Sequence, residues 1–491
     1  MSEEKSSYKQ IMKATSLFGG VQVFTIAISI VRSKIVAILL GTAGIGLIGL
    51  YQTTISLISS ITGMGLSSSA VRNISEANAT HDEHKIALVI KTLRRWVWMT
   101  GMVGAVVTLS LASLLSKWTF GNENYTWSFV WLSIICLLSA ISSGQNVLLQ
   151  GMRRLRQMAK STLFGSIIGL FTSIPLYYYF GVNGIVPSLI ISTISALSIS
   201  YYFARQIPIQ KVEQSWNETY NAGLGMAKLG FVMMLSSFMV TLVSYAVNLF
   251  ISHKGGVSDV GLYRAGWTIA DQYTAIIFTA MATDYYPRLA AINSDNKKLG
   301  EAVNQQAEIA LLILGPMLVA LIGFAPLVVY ILYTTKFLPV IGMIKWNLVG
   351  MLFKAASWAL AFTVIAKGDN RLYFITETIA NAIVLLLNIV GYSIWGLNGI
   401  GIAFAVSYLL YFMLISFVVM KRYGIYYNSV FFKIFIIQSL LVGSVFMISW
   451  MHSQIIVYAF VSLVFIIACL YSFVEMNKRM NIISIVRKFK K

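Results

Sequence analysis

Fourteen apolar runs, each long enough to cross a lipid bilayer, leave this chain few choices of fold. They fall at roughly 11–40, 46–71, 89–115, 127–150, 160–180, 184–206, 226–252, 258–286, 306–333, 342–366, 372–394, 398–420, 431–451 and 455–475. The hydrocarbon core is about 30 Å thick and takes roughly 20 apolar residues to span as a helix. In lipid, backbone N–H and C=O groups must be satisfied within the element, which leaves helices or closed barrels. The runs are continuous rather than alternating, so helices are expected. The expected fold class is therefore all-α: a polytopic membrane protein of about fourteen transmembrane helices. Only 11% of the 491 residues are charged and 57% are hydrophobic, which leaves nothing for a soluble domain of any size.

Net charge is +20. In a soluble chain that would point to nucleic acid; here the position of the charges decides. With the N-terminus inside, 29 of the 37 Lys and Arg residues fall on the inner side. Lys117, Lys254, Lys336 and Lys345 fall on the outer side, and four more lie within spans. Cytoplasmic segments of membrane proteins collect Lys and Arg in this way. Both termini are expected in the cytoplasm, and no nucleic-acid partner. Outer segments 41–45, 181–184 and 396–399 are too short for a domain. Trp96, Trp98, Trp118, Trp127 and the run Tyr177–Tyr179 read as interface belts. Cys136 and Cys469 lie in apolar runs, so neither a disulfide framework nor a metal site is expected. The first run is too long for a signal-peptide core and reads as a retained helix.

An internal repeat is visible. Gly49-Leu50-Tyr51 pairs with Gly261-Leu262-Tyr263, Gly151–Leu155 with Gly368–Leu372, and Gly181-Val-Asn183-Gly184-Ile185 with Gly396-Leu-Asn398-Gly399-Ile400. The offsets are 212, 217 and 215. A period of six helices keeps both copies in one orientation, a known transporter architecture. The expected organisation is a six-helix bundle over 1–210, a second over 211–424, and two further helices with a basic tail over 425–491.

The first hairpin reads Arg32-Ser-Lys34-Ile-Val-Ala-Ile-Leu-Leu-Gly41-Thr-Ala-Gly44-Ile-Gly46, the eighth run closes on Tyr285-Tyr286-Pro287-Arg288-Leu289, and the ninth carries Gly315-Pro316. These segments resemble the O-antigen (Wzx-type) polysaccharide translocases of the multidrug/oligosaccharidyl-lipid/polysaccharide flippase superfamily. The resemblance covers runs 1–12. It implies two six-helix bundles around a central cavity, and alternating access in a bacterial inner membrane. It further implies that an undecaprenyl-diphosphate-linked oligosaccharide, such as an O-antigen repeat unit, is flipped from the cytoplasmic to the periplasmic leaflet. Membrane lipids and polysaccharide polymerase machinery are the implied partners. Two extra runs depart from the twelve-span pattern; flippases of the peptidoglycan precursor have fourteen.

Charges inside spans are where function is sought, because a cation at the bilayer centre costs about 2.5–3.5 kcal/mol on insertion scales. Four cations, Arg32, Lys34, Arg264 and Lys354, and one anion, Asp271, stand out. The excess of cations suits a diphosphate, whose oxygens match a guanidinium bidentately. Arg32, Lys34, Arg264 and Lys354 are the candidate substrate ligands. Arg32 and Lys34 point about 200° apart on one helix, so one of them, Arg32, is expected to face a cavity. Asp271 is the candidate for ion or proton coupling, or else forms a structural network with Arg264, two turns away. The inner cluster Arg153, Arg154, Arg156 and Lys160 and the tail 487–491 suit anionic lipid headgroups.

No ATP-binding loop is present, and no cofactor or metal is expected. A membrane enzyme of polysaccharide assembly would need an outer catalytic loop. A drug or cation antiporter of the same superfamily would need carboxylates in its cavity. Neither is a feature of the sequence, so a transporter of anionic cargo is expected rather than an enzyme.

Overall fold

The computed structural model describes residues 2–451 and 453–480, with side chains from residue 24 onward except at scattered positions between 229 and 287. The tail at 487–491 lies outside the described residues. Every regular element among them is helical. The chain divides into two compact units, 1–261 and 262–491.

The first unit holds α1 (Ser2–Thr62), α2 (Leu66–Ala79), α3 (Glu83–Ser110), α4 (Ala112–Phe120), α5 (Thr126–Gly151), α6 (Leu155–Phe180), α7 (Ile185–Arg205) and most of α8 (Trp216–Trp267). The second holds the end of α8 and a π-helical turn (Thr268–Gln272). There follow α9 (Tyr273–Ala291), α10 (Asn296–Gly323), α11 (Ala325–Leu332), α12 (Ile341–Ala366), α13 (Asn370–Tyr423), α14 (Ser429–Ile448) and α15 (Gln454–Met480).

Several of the expected spans are joined end to end in single long helices. Among the described residues, eight helical stretches are long and apolar enough to cross a membrane, or nine if α3 and α4, bent by 68° to each other, are taken as one. Three of them, Phe24–Thr62, Leu155–Arg205 and Asn370–Tyr423, are each long enough for two passes. Within these, single glycines take backbone angles that a helix does not allow: Gly41 (φ 65°, ψ −163°), Gly181 (φ 53°, ψ −129°) and Gly396 (φ 57°, ψ −137°). Gly256 (φ 80°, ψ 175°) does the same in α8. An L side chain is strained at such angles, so glycine is needed to turn the chain back within one residue.

These turns fix the repeat at one offset, 215. Gly41 corresponds to Gly256 and Gly181 to Gly396. A Cβ on Gly184 would sit 2.3 Å from the Leu176 carbonyl oxygen, and one on Gly399 would sit 1.8 Å from that of Gly391; both members of each pair are 215 apart. Within the first unit, a Cβ on Gly46 would meet the Val257 carbonyl oxygen at 1.9 Å and one on Gly261 would meet that of Thr42 at 1.9 Å. This reciprocal contact again relates residues 215 apart, and beside it Thr42 Oγ1 donates to Ser258 Oγ at 3.2 Å. Two of the sequence pairings are therefore shifted. Gly261 corresponds to Gly46, not Gly49, and Gly368 corresponds to Arg153, not Gly151. The shared demand is a positive φ, met by Gly368 at 71° and by Arg153 at 54°; matching glycine to glycine missed it because one copy uses arginine.

The first unit has two apolar clusters. One is built on Leu50's neighbours Leu47 and Tyr51 with Phe129, Leu132 and Tyr177, the other on Ile74, Ile90, Leu93, Trp96 and Leu148. In the second unit α10 and α12 are buried along nearly their whole length. Helices α14 and α15 pack on α10: Gln438 fills the space left by Gly315, and Val461 that left by Gly323. Arg479 at the end of α15 pairs with Glu308 of α10 at 2.8 Å and with Glu475 at 2.7 Å. Lys345, expected on the outer side in water, is buried in α12. Its ammonium donates to the Ser449 carbonyl at 2.6 Å and lies 4.6 Å from the Trp450 ring.

Candidate functional site

The first unit has an open cavity of about 790 Å³ between α1, α2, α5 and α7. Helix α5 contributes Ser139, Ser142, Ser143, Asn146 and Gln150. Their spacing of three and four residues places them on one helical face. A polar stripe of this kind inside an apolar span cannot be explained by burial against lipid, so it must face either protein partners or water. Gln52 comes from α1, Ser67 and Ser68 from the start of α2, and Ser192 and Thr193 from α7. Ser67 and Ser143 share a hydrogen bond at 3.0 Å across the cavity wall. Among the described residues the side chains of Arg32, Gln52, Asn146 and Gln150 make no hydrogen bond or ion pair, so their donors are available to a ligand.

Among the described residues, Arg32 is the one charged side chain that lines this cavity, and no carboxylate does. Lys34 is half-buried and is not among the lining residues, as their 200° separation requires. A lone guanidinium among hydroxyls and amides can bind an anion with its forked donors and sugar hydroxyls with its neighbours.

The second unit treats its buried cation differently. Lys354 of α12 donates to Asp271 Oδ1 at 2.7 Å, with side chains 20% and 29% exposed. Its ammonium also lies 5.5 Å from the Phe278 ring and 5.6 Å from the Tyr408 ring, within range of cation–π attraction. Asp271 sits in the π-turn at 268–272. Such turns interrupt the regular ladder and are frequent at functional sites. Arg264, half-buried, stands in the last turn of α8 just before it. The partner that the structure gives Asp271 is thus Lys354 from a neighbouring helix.

Two features escaped the sequence reading. Glu377 lies inside the span opened by α13, a second anion at bilayer depth in addition to the sequence candidate Asp271. Its carboxylate accepts from Tyr411 Oη at 2.6 Å. At only about 10 Å from the start of its helix, it reads in the sequence as a residue of the helix end. The second is the serine and amide stripe of α5. It is legible as polar residues at helical spacing, but without charge it does not stand out in an apolar span. Arg153, Arg154, Arg156 and Lys160 are all exposed, as are His81 in the turn between α2 and α3 and His84 in the first turn of α3.

Residues 35–342 match the family described as polysaccharide biosynthesis protein. The chain belongs to that family. Two curated relatives of this polysaccharide biosynthesis protein are the lipid III flippases of Escherichia coli (strain K12) and Shigella flexneri. Each is 20% identical over 388 residues, covering 78% of this chain and 91% of the relative. Among solved structures, the lipid II flippase MurJ in an inward closed conformation matches with a TM-score of 0.70 at 14% identity, over 94% of this chain and 99% of that one. An inward-facing multidrug resistance MATE family transporter of the MOP superfamily matches with a TM-score of 0.68 at 14% identity, over 82% and 94%. The family member described here is therefore a multi-pass membrane protein with the fold of the MOP superfamily, and its cavity sits in a scaffold shared by transporters of differing cargo.

Proposed function

We propose that the protein is a flippase for an undecaprenyl-diphosphate-linked oligosaccharide, with an O-antigen or related surface-polysaccharide repeat unit as cargo. The observation that carries the reading is the cavity of the first unit: hydroxyl and amide walls and, among the described residues, a single arginine without an ion-pair partner and no carboxylate. A sugar cannot enter lipid unaided, since each unsatisfied hydroxyl costs several kcal/mol. Ser, Asn and Gln side chains replace the water lost by those hydroxyls, and Arg32 meets the diphosphate. The polyprenyl tail stays in lipid throughout. The family and the lipid III flippase relatives support the same reading. Transfer runs by alternating access from the cytoplasmic leaflet of the inner membrane to the periplasmic one, with both termini cytoplasmic as the charge distribution favours.

In this reading Arg32 is the principal substrate ligand, with Lys34, Arg264 and Lys354 supplying the positive field. Asp271 is the coupling carboxylate. A proton or cation that captures Asp271 releases Lys354, so the pair converts an ion gradient into a change of local charge. The bundle boundaries at residues 210 and 424 remain part of the same proposal. The antiporter alternative needs carboxylates in the cavity. Asp271 is engaged by Lys354 and Glu377 by Tyr411, which favours anionic cargo.

The test is transport in cells whose own flippase has been deleted. Wild-type protein clears lipid-linked oligosaccharide from the cytoplasmic leaflet, and Arg32→Ala leaves it there while the protein remains in the membrane. Full clearance by a stable Arg32→Ala, Asn146→Ala, Gln150→Ala variant would falsify the assignment.

A further inference from the structure

A second cavity of about 730 Å³ lies in the first unit among α3, α5, α7 and the segment that follows α7. It is distinct in chemistry from the serine-lined one. Leu137, Leu138, Ile141, Val97 and Leu197 form its apolar part, and Trp98 and Tyr201, each half-exposed, flank it. Arg94 and Arg205 line the same cavity, and among the described residues no carboxylate does. The lining runs eight residues along α5, from Leu137 to Gln145, and eight along α7, from Leu197 to Arg205. At 1.5 Å per residue this is a groove about 12 Å long. Its cations are gathered at one end: Arg205 closes α7, and Arg94 stands about one turn from the Val97–Trp98 pair.

The neighbouring cations are spoken for. Lys91 donates to the Val212 carbonyl at 2.6 Å. Arg95 donates to the Gln214 carbonyl at 3.0 Å and to Thr219 Oγ1 at 2.6 Å, and stacks 4.5 Å from the Trp216 ring. Those contacts tie down the segment after α7. Arg94 and Arg205 have no ion-pair partner among the described residues, and both are exposed. The residues before and after them on the same helices carry the charge count that defines the inner side of the membrane. An apolar groove with two unneutralised arginines at its inner end has the polarity of an anionic lipid lying along the bilayer normal: chain in the groove, phosphate at the arginines.

We propose that this groove holds an anionic glycerophospholipid of the inner leaflet, its phosphate between Arg94 and Arg205 and one acyl chain against Leu137, Ile141 and Leu197. The charge complementarity picks the occupant. A zwitterionic lipid would bring its own cation to two arginines, and a free phosphate would leave the apolar walls unfilled. The site does not depend on the transport reading, since its residues are separate from the serine-lined cavity.

Native mass spectrometry of the full-length protein, stripped of lipid in detergent and titrated with phosphatidylglycerol or phosphatidylcholine, tests it. Wild-type protein is expected to retain phosphatidylglycerol in preference to phosphatidylcholine. The double variant Arg94→Gln, Arg205→Gln is expected to bind phosphatidylglycerol roughly thirtyfold more weakly, each basic residue near a lipid surface being worth about 1 kcal/mol. Ile141→Trp, which fills the groove and leaves both charges, is expected to lower affinity as well, while Arg94→Lys, Arg205→Lys retains most of it. Equal binding of the two lipids by wild-type, or unchanged phosphatidylglycerol binding in both the double variant and Ile141→Trp, overturns the proposal. So does displacement of phosphatidylglycerol by equimolar undecaprenyl diphosphate, which would make the groove a station for the cargo's carrier lipid.

Discussion

The two units share their turns and differ in their interiors. At the hairpins the backbone repeats at an offset of 215: Gly181 of the first unit answers to Gly396 of the second, and Gly41 answers to Gly256 within the first. Inside, the first unit leaves about 790 Å³ open around Arg32. The second fills its corresponding helices with apolar side chains and closes its cation, Lys354, onto Asp271. The difference teaches which constraints are rigid. A chain that reverses within one residue must use a backbone conformation that glycine alone adopts freely, so the turns agree. A span's inward face is bound only to be satisfied. Ser139, Asn146 and Gln150 satisfy α5 with groups that a solute can also use. α12 is packed against its neighbours and closes one ion pair, and offers a solute less.

The largest expected effect comes from breaking the closed side. Lys354→Met leaves Asp271 without its partner in a low-dielectric interior. Removal of one member of a buried pair costs about 3–5 kcal/mol. The double variant Lys354→Met, Asp271→Leu removes both charges and is expected to recover most of that loss. Denaturant or thermal unfolding in detergent measures both. If the single variant unfolds at the wild-type midpoint, the pair contributes nothing and the contrast between the two units disappears.

Next comes the open side. Arg32→Gln is expected to leave the unfolding midpoint within about 0.5 kcal/mol of wild-type, since no described partner loses a bond. Transport is expected to fall by roughly ten- to a hundredfold, the worth of one charge-assisted hydrogen-bonding group at about 1.5–3 kcal/mol. Arg32→Lys keeps the charge and loses the fork, so it should fall in between. A stability loss without a transport loss would reassign Arg32 to structure.

The sequence made the helices, their number and their approximate ends readable because lipid imposes one requirement on every span, and hydropathy reports it directly. The charged positions were readable for the same reason: Arg32, Lys34, Arg264, Asp271 and Lys354 stand out against an apolar background. Which charges meet was not readable. Asp271 and Lys354 are 83 residues apart, and no local spacing brings α12 against the π-turn. The serine stripe of α5 was present as a pattern but carried no charge to draw attention. The repeat was found, yet in a shifted register, because a glycine in one copy answers to Arg153 in the other.

The repeat itself gives a smaller and more symmetrical effect. Gly181→Ala and Gly396→Ala add a methyl group into open space, with no atom within 4 Å. What they cost is the backbone conformation alone, about 1–3 kcal/mol each. The two losses are expected to match, because the two turns have the same angles. Arg153→Gly is the converse: it relieves a positive φ and should stabilise by a fraction of that. Unequal losses at 181 and 396 would show that the turns are held by their surroundings and not by the shared backbone.

The smallest effect separates two helix starts outside the membrane. Asp82 caps α3 by accepting from the Lys85 N–H at 3.1 Å. Asp295 caps α10 with two bonds, from Lys297 N–H at 3.0 Å and Lys298 N–H at 3.1 Å. The backbone N–H of Lys298, foremost, holds the Asp295 carboxyl below the usual carboxylate range, with the Lys297 N–H and the Lys298 ammonium adding to it. A carboxyl lowered in the folded state contributes stability above its unfolded pKa and loses it as pH falls through the folded one. Amide exchange at Lys297 and Lys298, corrected for the intrinsic rate, is therefore expected to quicken as pH drops below the ordinary carboxylate range. In Asp295→Asn, which keeps an acceptor and has nothing to protonate, the acid dependence should be absent. If the asparagine variant quickens in acid as the wild-type does, the doubly bonded cap is not what holds the first turn of α10.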